Sequence, residues 1–159
     1  MDFLPLGLKL TGQTVVIVGG GDTALRKAGL LHRSGAVIRL IAPQWRTDLC
    51  ALVEQGGGDC QQRLYQEGDL DQARLVVACT DDDALNQRIA EQCHARGLPV
   101  NVVGRPELSS FVFPALVDRD PLFVAITSSG ASPVLVRRLR DQLEGWLPAR
   151  WGRLATFLG

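Results

Sequence analysis

Short apolar runs alternate with amphipathic stretches over the first two thirds of the chain. The β-branched run Val15-Val16-Ile17-Val18 ends in three glycines, which predicts a buried parallel strand that stops at a tight turn. Ala24, Ala28 and Leu31 then recur at helical spacing, and Gly35 lies where a helix commonly ends. The chain is therefore expected to open with a strand, a glycine turn and a helix.

Strands and helices are expected to keep alternating after this opening. Thr80 is expected to cap the helix after the fourth strand, with Asp83 at its third position and Ile89 and Cys93 on one face. Such alternation implies parallel pairing with right-handed crossovers, and hence an α/β fold with a Rossmann-like doubly wound sheet. The further strands are expected at residues 37–41, 60–64, 75–79 and 98–103, with helices near residues 45–54 and after residue 80.

The pattern changes in the last third of the chain. Two apolar runs, residues 111–116 and 122–126, flank the turn-rich residues 118–121, which suits an antiparallel hairpin. A Ser-Pro pair at residues 132–133 then fits the start of a helix that reaches Trp146. A hairpin and a helix are too small to fold alone, so they are expected to pack on the sheet or on a second copy of the chain.

Charge and composition exclude several classes of function. The 17 basic and 17 acidic residues cancel, so no overall field attracts nucleic acid or an anionic membrane. The N-terminal residues lack a signal sequence, and no run approaches the roughly 20 apolar residues of a membrane span. The protein is therefore expected in the cytoplasm, with neither nucleic acid nor membrane as a partner.

The cysteines and histidines show no spacing typical of a metal site or a disulfide framework. No C-x-x-C pair occurs, so reduced and partly buried thiols are expected. The histidines fall at unrelated helical positions, so no metal role is expected for either. These residues are Cys50, Cys60, Cys79, Cys93, His32 and His94.

The glycine turn carries the first chemical signal. Gly19, Gly21 and Ala24 form G-x-G-x-x-A between a strand and a helix, the context in which this motif binds a dinucleotide. The second glycine lets the backbone approach the pyrophosphate, and free N–H groups of the helix, next to Asp22 and Thr23, face its charge. The alternative is a turn that merely needs glycine.

The end of the second strand bears on which dinucleotide binds. The acidic residue that commonly holds the ribose 2′-hydroxyl is missing there, and Pro43 and Gln44 occupy the place. No arginine stands at the strand end, which favours NAD over NADP. Arg46 is nevertheless close enough to keep NADP open.

Thr80 and Asp81 follow the fourth strand, at the sheet edge where ligands bind in such folds, and are expected beside the cofactor. Residues 81–83 are all aspartates, and the alternative is that they only meet the positive end of the following helix.

A second anion site is expected where residues 127–133 place hydroxyls and a glycine before a helix that carries Arg137, Arg138 and Arg140. Such groups suit carboxylates or phosphates. A plain capped helix with a solvated basic face explains the same residues.

Beyond these motifs, the sequence resembles the precorrin-2 dehydrogenase/sirohydrochlorin ferrochelatase family, the N-terminal module of siroheme synthase. The resemblance covers most of residues 1–145, and its ordered segments are more specific than the glycine motif alone. The matching segments are Leu4-Pro5, residues 18–22 with Ala24, Arg26 and Lys27, residues 79–83 with Asn86, residues 101–103, Ser110-Phe111, Pro114, Asp118-Arg119, Pro121-Leu122 and residues 128–133 with Leu135.

The resemblance implies NAD-dependent oxidation of precorrin-2 to sirohydrochlorin, followed by insertion of ferrous ion to give siroheme, in one cleft of a homodimer. Hydride passes to the nicotinamide while a base accepts a proton. Ser128 matches a family serine near the tetrapyrrole that is also associated with phosphorylation, and a phosphate there would repel the substrate. The residues expected on the tetrapyrrole side are Asn101, Ser128, Ser129, Arg137 and Arg138.

One departure affects the expected chemistry. The family has an aspartate, the implied base, directly after Asn-Val-Val, and this chain has Gly104. Asp22, Asp81 and Glu107 are the nearest acidic candidates by sequence. Glycine cannot titrate, so weakened or lost activity is expected, and the alternative is a non-catalytic NAD- or tetrapyrrole-binding or dimerisation module. An unrelated small NAD(P) reductase is a third reading.

The resemblance also suggests how the chain is organised. The family usually continues with a helical domain, and in siroheme synthase with a methyltransferase, so a short form or a fragment is expected here. The expected segments are an NAD-binding Rossmann-like domain (1–105), a dimerisation and tetrapyrrole-cleft segment (106–145) and the start of a truncated or absent C-terminal helical region (146–159).

Overall fold

A computed structural model describes residues 3–129 and 131–158, so Gly130 of the expected anion loop lies outside the described residues. The chain forms two compact units. The first is Pro5–Phe111, and the second consists of residues 112–158 together with residues 3–4.

The first unit is built on a five-stranded parallel sheet of order β3-β2-β1-β4-β5. β1 lies at the centre of the sheet. From β1 the chain adds strands first on one side, β2 and β3, and then on the other, β4 and β5, as in doubly wound folds, which confirms the Rossmann-like prediction. The strands are β1 (Thr14–Val18), β2 (Val37–Ile41), β3 (Asp59–Gln61), β4 (Leu75–Ala78) and β5 (Val100–Val102).

The inner strands are buried on both faces, because helices cover both sides of the sheet. Every residue of β4 is buried, as are four of the five residues of β1. Continuous β-branched runs suit such strands. The covering helices are α1 (Asp22–Arg33), α2 (Thr47–Gln55) and α3 (Asp83–Ala95), with short 3-10 turns at Glu67–Leu70 and Pro106–Leu108.

The expected cap of α3 was wrong. Asp82 caps the helix, because its side chain accepts a hydrogen bond from the Leu85 amide at 3.0 Å. Thr80 is instead held by Asn86, whose Oδ1 accepts from the Thr80 hydroxyl at 2.8 Å and whose Nδ2 donates to the Thr80 carbonyl at 2.8 Å. The helix therefore starts later than predicted, and Thr80 is fixed at the end of β4.

The expectation of four reduced thiols was also wrong. Cys50 on α2 and Cys60 on β3 form a disulfide, with their Cα atoms 6.1 Å apart. The pairing joins two elements that pack together in the fold, so spacing along the chain did not indicate it. Glu54 lies beside the two sulfurs, and within the described ranges these three are the one close group of candidate metal-ligand atoms; in the disulfide the two cysteines have no thiolate with which to bind a metal. Cys79 and Cys93 are free.

The first unit continues beyond β5 because serine side chains cover the outer edge of that strand. Ser109 Oγ accepts from the Val102 amide and Ser110 Oγ from the Val100 amide, both at 2.9 Å. Side-chain hydroxyls thus satisfy strand amides that no neighbouring strand reaches. The segment up to Phe111 is consequently part of this unit.

The second unit contains the predicted hairpin, β6 (Ala115–Arg119) and β7 (Leu122–Ile126), followed by helices α4 (Pro133–Trp146) and α5 (Arg150–Leu158). Arg119 joins the hairpin to the end of α4, since its Nε donates to the Leu147 carbonyl at 2.6 Å. Gly152 allows α5 to approach the hairpin closely, because a Cβ there would lie 1.8 Å from the Arg119 carbonyl oxygen.

Both helices of the second unit carry large apolar side chains on their exposed faces. No residue of α4 is buried. In the described part of the chain, no helix has the length and apolar character needed to cross a membrane. The exposed side chains are Val134, Leu135, Leu139 and Trp146 on α4 and Trp151, Leu154, Phe157 and Leu158 on α5.

Candidate cofactor site

A cavity of about 520 Å³ opens in the first unit at the carboxyl ends of β1, β2 and β4. This is the edge of an open α/β sheet at which ligands bind. The walls come from the glycine turn, the loop after β2 and the residues that follow β4. The lining residues are Val18–Gly21, Ile41–Arg46, Leu64, Tyr65, Cys79–Asp81 and Leu85.

The first two glycines are needed because the turn passes very close to its neighbours. Gly19 has φ +130°, and a Cβ there would lie 2.5 Å from the Cys79 carbonyl oxygen. A Cβ on Gly20 would lie 2.0 Å from the Gln44 carbonyl oxygen. Side chains at either position would push the turn away from β4 and from the loop after β2. The turn is therefore packed between the two loops that form the rest of the cavity wall.

The third glycine faces open space. A Cβ on Gly21 would meet no atom within 4 Å, and Gly21 is the N-cap of α1 without a side chain capping the helix. The first amides of α1 thus have no side-chain acceptor at the cap, beside room for a ligand. Ala24, fully buried, lets α1 pack closely on the sheet. This arrangement fits a dinucleotide pyrophosphate.

The β4 side of the cavity is fixed by polar contacts under the surface. Asn86 is buried and uses both ends of its amide to hold Thr80. Burial raises the pKa of the Cys79 thiol to about 12, so this thiol is neutral and packs against the glycine turn. Asp81 follows on the surface at the cavity wall. Thr80 is therefore positioned by the buried Asn86, and Asp81 directly follows it along the chain.

A charged cluster lies at the β2 side of the cavity. Arg46 donates from Nε and Nη2 to the two carboxylate oxygens of Asp48, at 2.9 and 2.7 Å, and from Nη1 to Asp22 at 2.8 Å. The hydrogen bonds from Arg46 lower the pKa of Asp48, and the two carboxylates raise that of Arg46. The Arg46 amide also donates to the Gly20 carbonyl at 3.1 Å, which ties this cluster to the glycine turn.

Most of the cofactor residues expected from the sequence surround this cavity. Asp22 and Thr23 lie in the adjoining first turn of α1, and neither lines the cavity. The sequence did not indicate Tyr65 or Leu64, because both come from an irregular segment between β3 and β4 without a recognisable motif. Six of the expected residues line the cavity: Gly19, Gly21, Pro43, Gln44, Thr80 and Asp81.

Gly104, at the family aspartate position, lies just after β5 with φ +79°. It is exposed, and a Cβ there would meet no atom within 4 Å. Two of the three acidic candidates are engaged elsewhere, since Asp22 pairs with Arg46 and Glu107 pairs with Arg105. Asp81 is the candidate that lines the cavity.

The residues expected on the tetrapyrrole side are distributed over both units. Asn101 is buried in the first unit, where its Nδ2 donates to the Phe111 carbonyl at 3.0 Å. In the second unit, Ser128 Oγ accepts from the Ser132 amide at 2.9 Å, and Ser129 has φ +53°. Arg137 and Arg138 are exposed on α4.

The fold and the cavity define a dinucleotide-binding protein of the Rossmann-like class. A family model described as putative NAD(P)-binding matches residues 6–115, and one described as the central part of a sirohaem biosynthesis protein matches residues 119–145. The chain belongs to this NAD(P)-binding family of siroheme biosynthesis, as its resemblance implied. The match also confirms the prediction of an NAD cofactor.

Named relatives agree with this assignment. The chain is 54% identical over 155 residues to siroheme synthase of Azotobacter vinelandii and 49% identical to that of Pseudomonas fluorescens SBW25, in both cases over 98% of this chain. It spans about one third of the length of each. A solved structure of SirC, a precorrin-2 dehydrogenase, superposes with a TM-score of 0.82 at 27% identity, covering 98% of this chain and 77% of SirC.

Proposed function

We propose that this chain is an NAD-dependent precorrin-2 dehydrogenase module that forms sirohydrochlorin. The observation that carries the proposal is the dinucleotide cavity at the carboxyl edge of the sheet, in a chain whose fold resembles SirC over nearly its whole length. The oxidation removes a hydride and a proton from the tetrapyrrole, so the protein must place a hydride acceptor and provide for the proton.

NAD⁺, when bound, supplies the hydride acceptor. The backbone at Gly21 and the first amides of α1 would hold its pyrophosphate, since this is where the cavity leaves room and unused donors. Pro43 and Gln44 would contact the adenosine half, and Thr80 and Asp81 the nicotinamide half, from opposite walls. Asn86 is a positioning residue, because it fixes Thr80 without lining the cavity.

The proposed reaction also needs a group that accepts the proton. Gly104 offers no carboxylate where the family has its aspartate. Asp81 is the best substitute among the three acidic candidates, because it lines the cavity and the other two are bound to arginines. We therefore expect turnover to be weak and to depend on Asp81 or on solvent as the proton acceptor.

Binding of the tetrapyrrole is proposed to depend on charge. Precorrin-2 carries several carboxylates, and guanidinium groups bind carboxylates through paired hydrogen bonds. Arg137 and Arg138 are exposed and available for this on α4. Ser128 and Ser129 would contact the tetrapyrrole at the loop before α4, and phosphate on Ser128 would oppose binding by repulsion. Asn101 would act by holding the end of β5.

Four further parts of the sequence interpretation are also proposals. Ferrous ion would be a second substrate, inserted into sirohydrochlorin in the same site. A homodimer would form through the second unit, whose helices expose large apolar side chains. The cytoplasm stays the proposed location, and residues 1–105, 106–145 and 146–159 stay the proposed functional segments.

The second candidate function is a non-catalytic module that binds NAD or the tetrapyrrole, or serves in dimerisation. The observation in its favour is Gly104, which removes the family's titratable group while leaving the cavity intact. The two candidates differ in whether the chain turns over precorrin-2 at all.

The test is anaerobic conversion of enzymatically generated precorrin-2 with NAD⁺, followed by sirohydrochlorin absorbance. The chain is compared with Gly104→Asp and with Gly104→Asn, which matches aspartate in size without its charge. Both side chains fit the open space and tolerate a positive φ better than most residues. We expect Gly104→Asp to accelerate turnover by about 100-fold, the lower end for general base catalysis, and Gly104→Asn to have no such effect.

The outcomes separate the two candidates. Measurable turnover by the unchanged chain that is lost in Asp81→Asn identifies Asp81 as the working base. Turnover only in Gly104→Asp identifies a binding module around a lost base, which supports the second candidate. If all variants bind NAD⁺ but neither bind nor convert precorrin-2, the dehydrogenase candidate is wrong, and of the second candidate only a module without tetrapyrrole binding is left.

A further inference from the structure

A charged cluster stands at the wall of the dinucleotide cavity, where Arg46 lines the cavity and binds Asp48 and Asp22, which lie just outside the lining. Arg46 is the only cationic side chain among the described residues that line the cavity. It lies five residues after β2 ends at Ile41. In Rossmann-like folds this region meets the adenosine ribose, where an acid binds the 2′-hydroxyl of NAD and an arginine accommodates the 2′-phosphate of NADP. The placement of Arg46 alone would therefore favour NADP.

The contacts of Arg46 favour the opposite selection. Asp48 takes the Nε and Nη2 edge in a two-point contact, and Asp22 takes Nη1. One positive and two negative charges leave a net charge of −1 on the cluster. A 2′-phosphate approaching Arg46 would thus meet two carboxylates that already occupy three of its donor groups.

The cluster is held in place by the backbone on either side. Arg46 is the N-cap of α2, and Asp48 lies in the first turn of that helix, where a carboxylate is stabilised by the helix dipole. Asp22 lies in the first turn of α1 in the same way. The Arg46 amide donates to the Gly20 carbonyl and fixes the spacing of the two helix starts. Displacing either carboxylate would therefore cost more than breaking a free surface pair.

We propose that Asp48 and Asp22 convert Arg46 from a 2′-phosphate site into an element that selects NAD⁺ over NADP⁺. The carboxylates can accept a hydrogen bond from a ribose 2′-hydroxyl, and they repel a 2′-phosphate. They thereby replace the acidic residue that is missing at the end of β2. The inference rests on the proposed function, since it concerns the same dinucleotide site.

The size of the selection follows from the exposure of the cluster. About half of the Arg46 and Asp48 side chains is accessible to solvent, so water and salt weaken each interaction. We expect NAD⁺ to bind about tenfold more tightly than NADP⁺ at low ionic strength, from two exposed charge interactions together. The preference is expected to shrink to about threefold in molar salt, because screening acts on the charge repulsion.

The experiment measures dissociation constants of NAD⁺ and NADP⁺ with the full chain by isothermal titration calorimetry. In Asp48→Asn the freed Arg46 is expected to raise the affinity for NADP⁺ about fivefold relative to NAD⁺. The matched control is Asp141→Asn, which removes the same charge from an exposed aspartate paired with Arg140 in the second unit. That control is expected to leave the affinity ratio unchanged. The salt series on the unchanged chain tests the same repulsion without any substitution.

Each outcome supports or overturns the inference. A tenfold preference that falls with salt and narrows in Asp48→Asn supports it. Equal affinity for the two dinucleotides, or a preference unchanged by salt and by Asp48→Asn, overturns the inference and leaves the proposed function standing. A failure to bind either dinucleotide contradicts the proposed function itself, and the inference with it.

Discussion

The two compact units differ in how far their large apolar side chains are buried. The first unit buries most of them in its sheet, so that Ile17, Leu40 and Val76 in the inner strands have no exposed surface. The second unit leaves much of its apolar surface in solvent, as Trp146 and Phe157 are 72% and 85% exposed. The first unit therefore has a buried hydrophobic core of its own. The second unit is the part whose apolar surface calls for a partner.

The largest expected effect tests the contrast in burial directly. Leu40→Ala, in the buried strand β2, is expected to lower the free energy of unfolding by about 3 kcal/mol, from lost burial and the cavity left behind. Leu158→Ala, in the second unit, removes the same atoms from a side chain that is 74% exposed. This variant is expected to change the free energy of unfolding by less than about 0.5 kcal/mol. Urea unfolding measures both. Equal losses would contradict the described difference in burial.

The next effect concerns the glycine turn of the first unit. Gly20→Ala places a methyl group against the Gln44 carbonyl and is expected to cost about 2 kcal/mol of unfolding free energy. Gly21→Ala has free space and is expected to cost under about 1 kcal/mol while weakening NAD⁺ binding at least tenfold, because the methyl group occupies the room left for the pyrophosphate.

Thermal unfolding and calorimetric titration together distinguish these two roles. A Gly21→Ala chain that binds NAD⁺ normally would show that the pyrophosphate does not lie at the start of α1.

A third prediction tests the partner of the second unit. Leu135, Leu139 and Trp146 lie at spacings of four and seven residues on α4 and share one exposed stripe. Leu139→Asp places a charge in the centre of that stripe and is expected to weaken a homodimer at least tenfold. Sedimentation velocity over a concentration series measures the change. A chain that is monomeric before any substitution would contradict the dimer proposal.

The smallest expected effect is the pH dependence of the first unit. Burial raises the pKa of Cys79 to about 12 from an ordinary value near 9. Below about pH 9 the thiol is protonated in both folded and unfolded chains. Above it only the unfolded thiol ionises, so stability falls as pH rises. Between about pH 8 and pH 10 this group accounts for about 1 kcal/mol of lost unfolding free energy.

Cys79→Ala is the variant that isolates this contribution. Its unfolding free energy is expected to fall less steeply over the same pH interval, by about 1 kcal/mol. Cys93 provides the comparison, because burial raises its pKa to about 11. Cys93 is present in both chains, so its contribution to the pH dependence of the unfolding free energy is the same in the variant. An unchanged slope would show that Cys79 is accessible to solvent.

Local patterns in the sequence were sufficient to predict most of the first unit and part of the second. The run that forms β1 and the glycine turn after it can be recognised from a few consecutive residues, and so can the hairpin and α4. The features that were missed depend on contacts between distant segments. Cys50 meets Cys60, and Arg46 meets Asp22, only because the sheet brings their elements together.

The cap of α3 shows a different limit. Thr80 and Asp82 are both good capping residues. The Thr80 hydroxyl donates a hydrogen bond to the buried Asn86, so Asp82 is the residue that caps the helix. The segment up to Phe111 stays with the first unit for a similar reason, since Ser109 and Ser110 cover the edge of β5. In both cases a polar side chain that is buried or lies at a strand edge determines which of two local structures forms, although the sequence fits both.

The most direct test of the proposed function is the stoichiometry of a single anaerobic turnover with the chain in excess over precorrin-2. NADH and sirohydrochlorin are measured together by their absorbance, for the unchanged chain and for Gly104→Asp. We expect equal amounts of the two products, formed slowly by the unchanged chain and rapidly by the variant. Binding of NAD⁺ with no NADH and no sirohydrochlorin in either chain would contradict it.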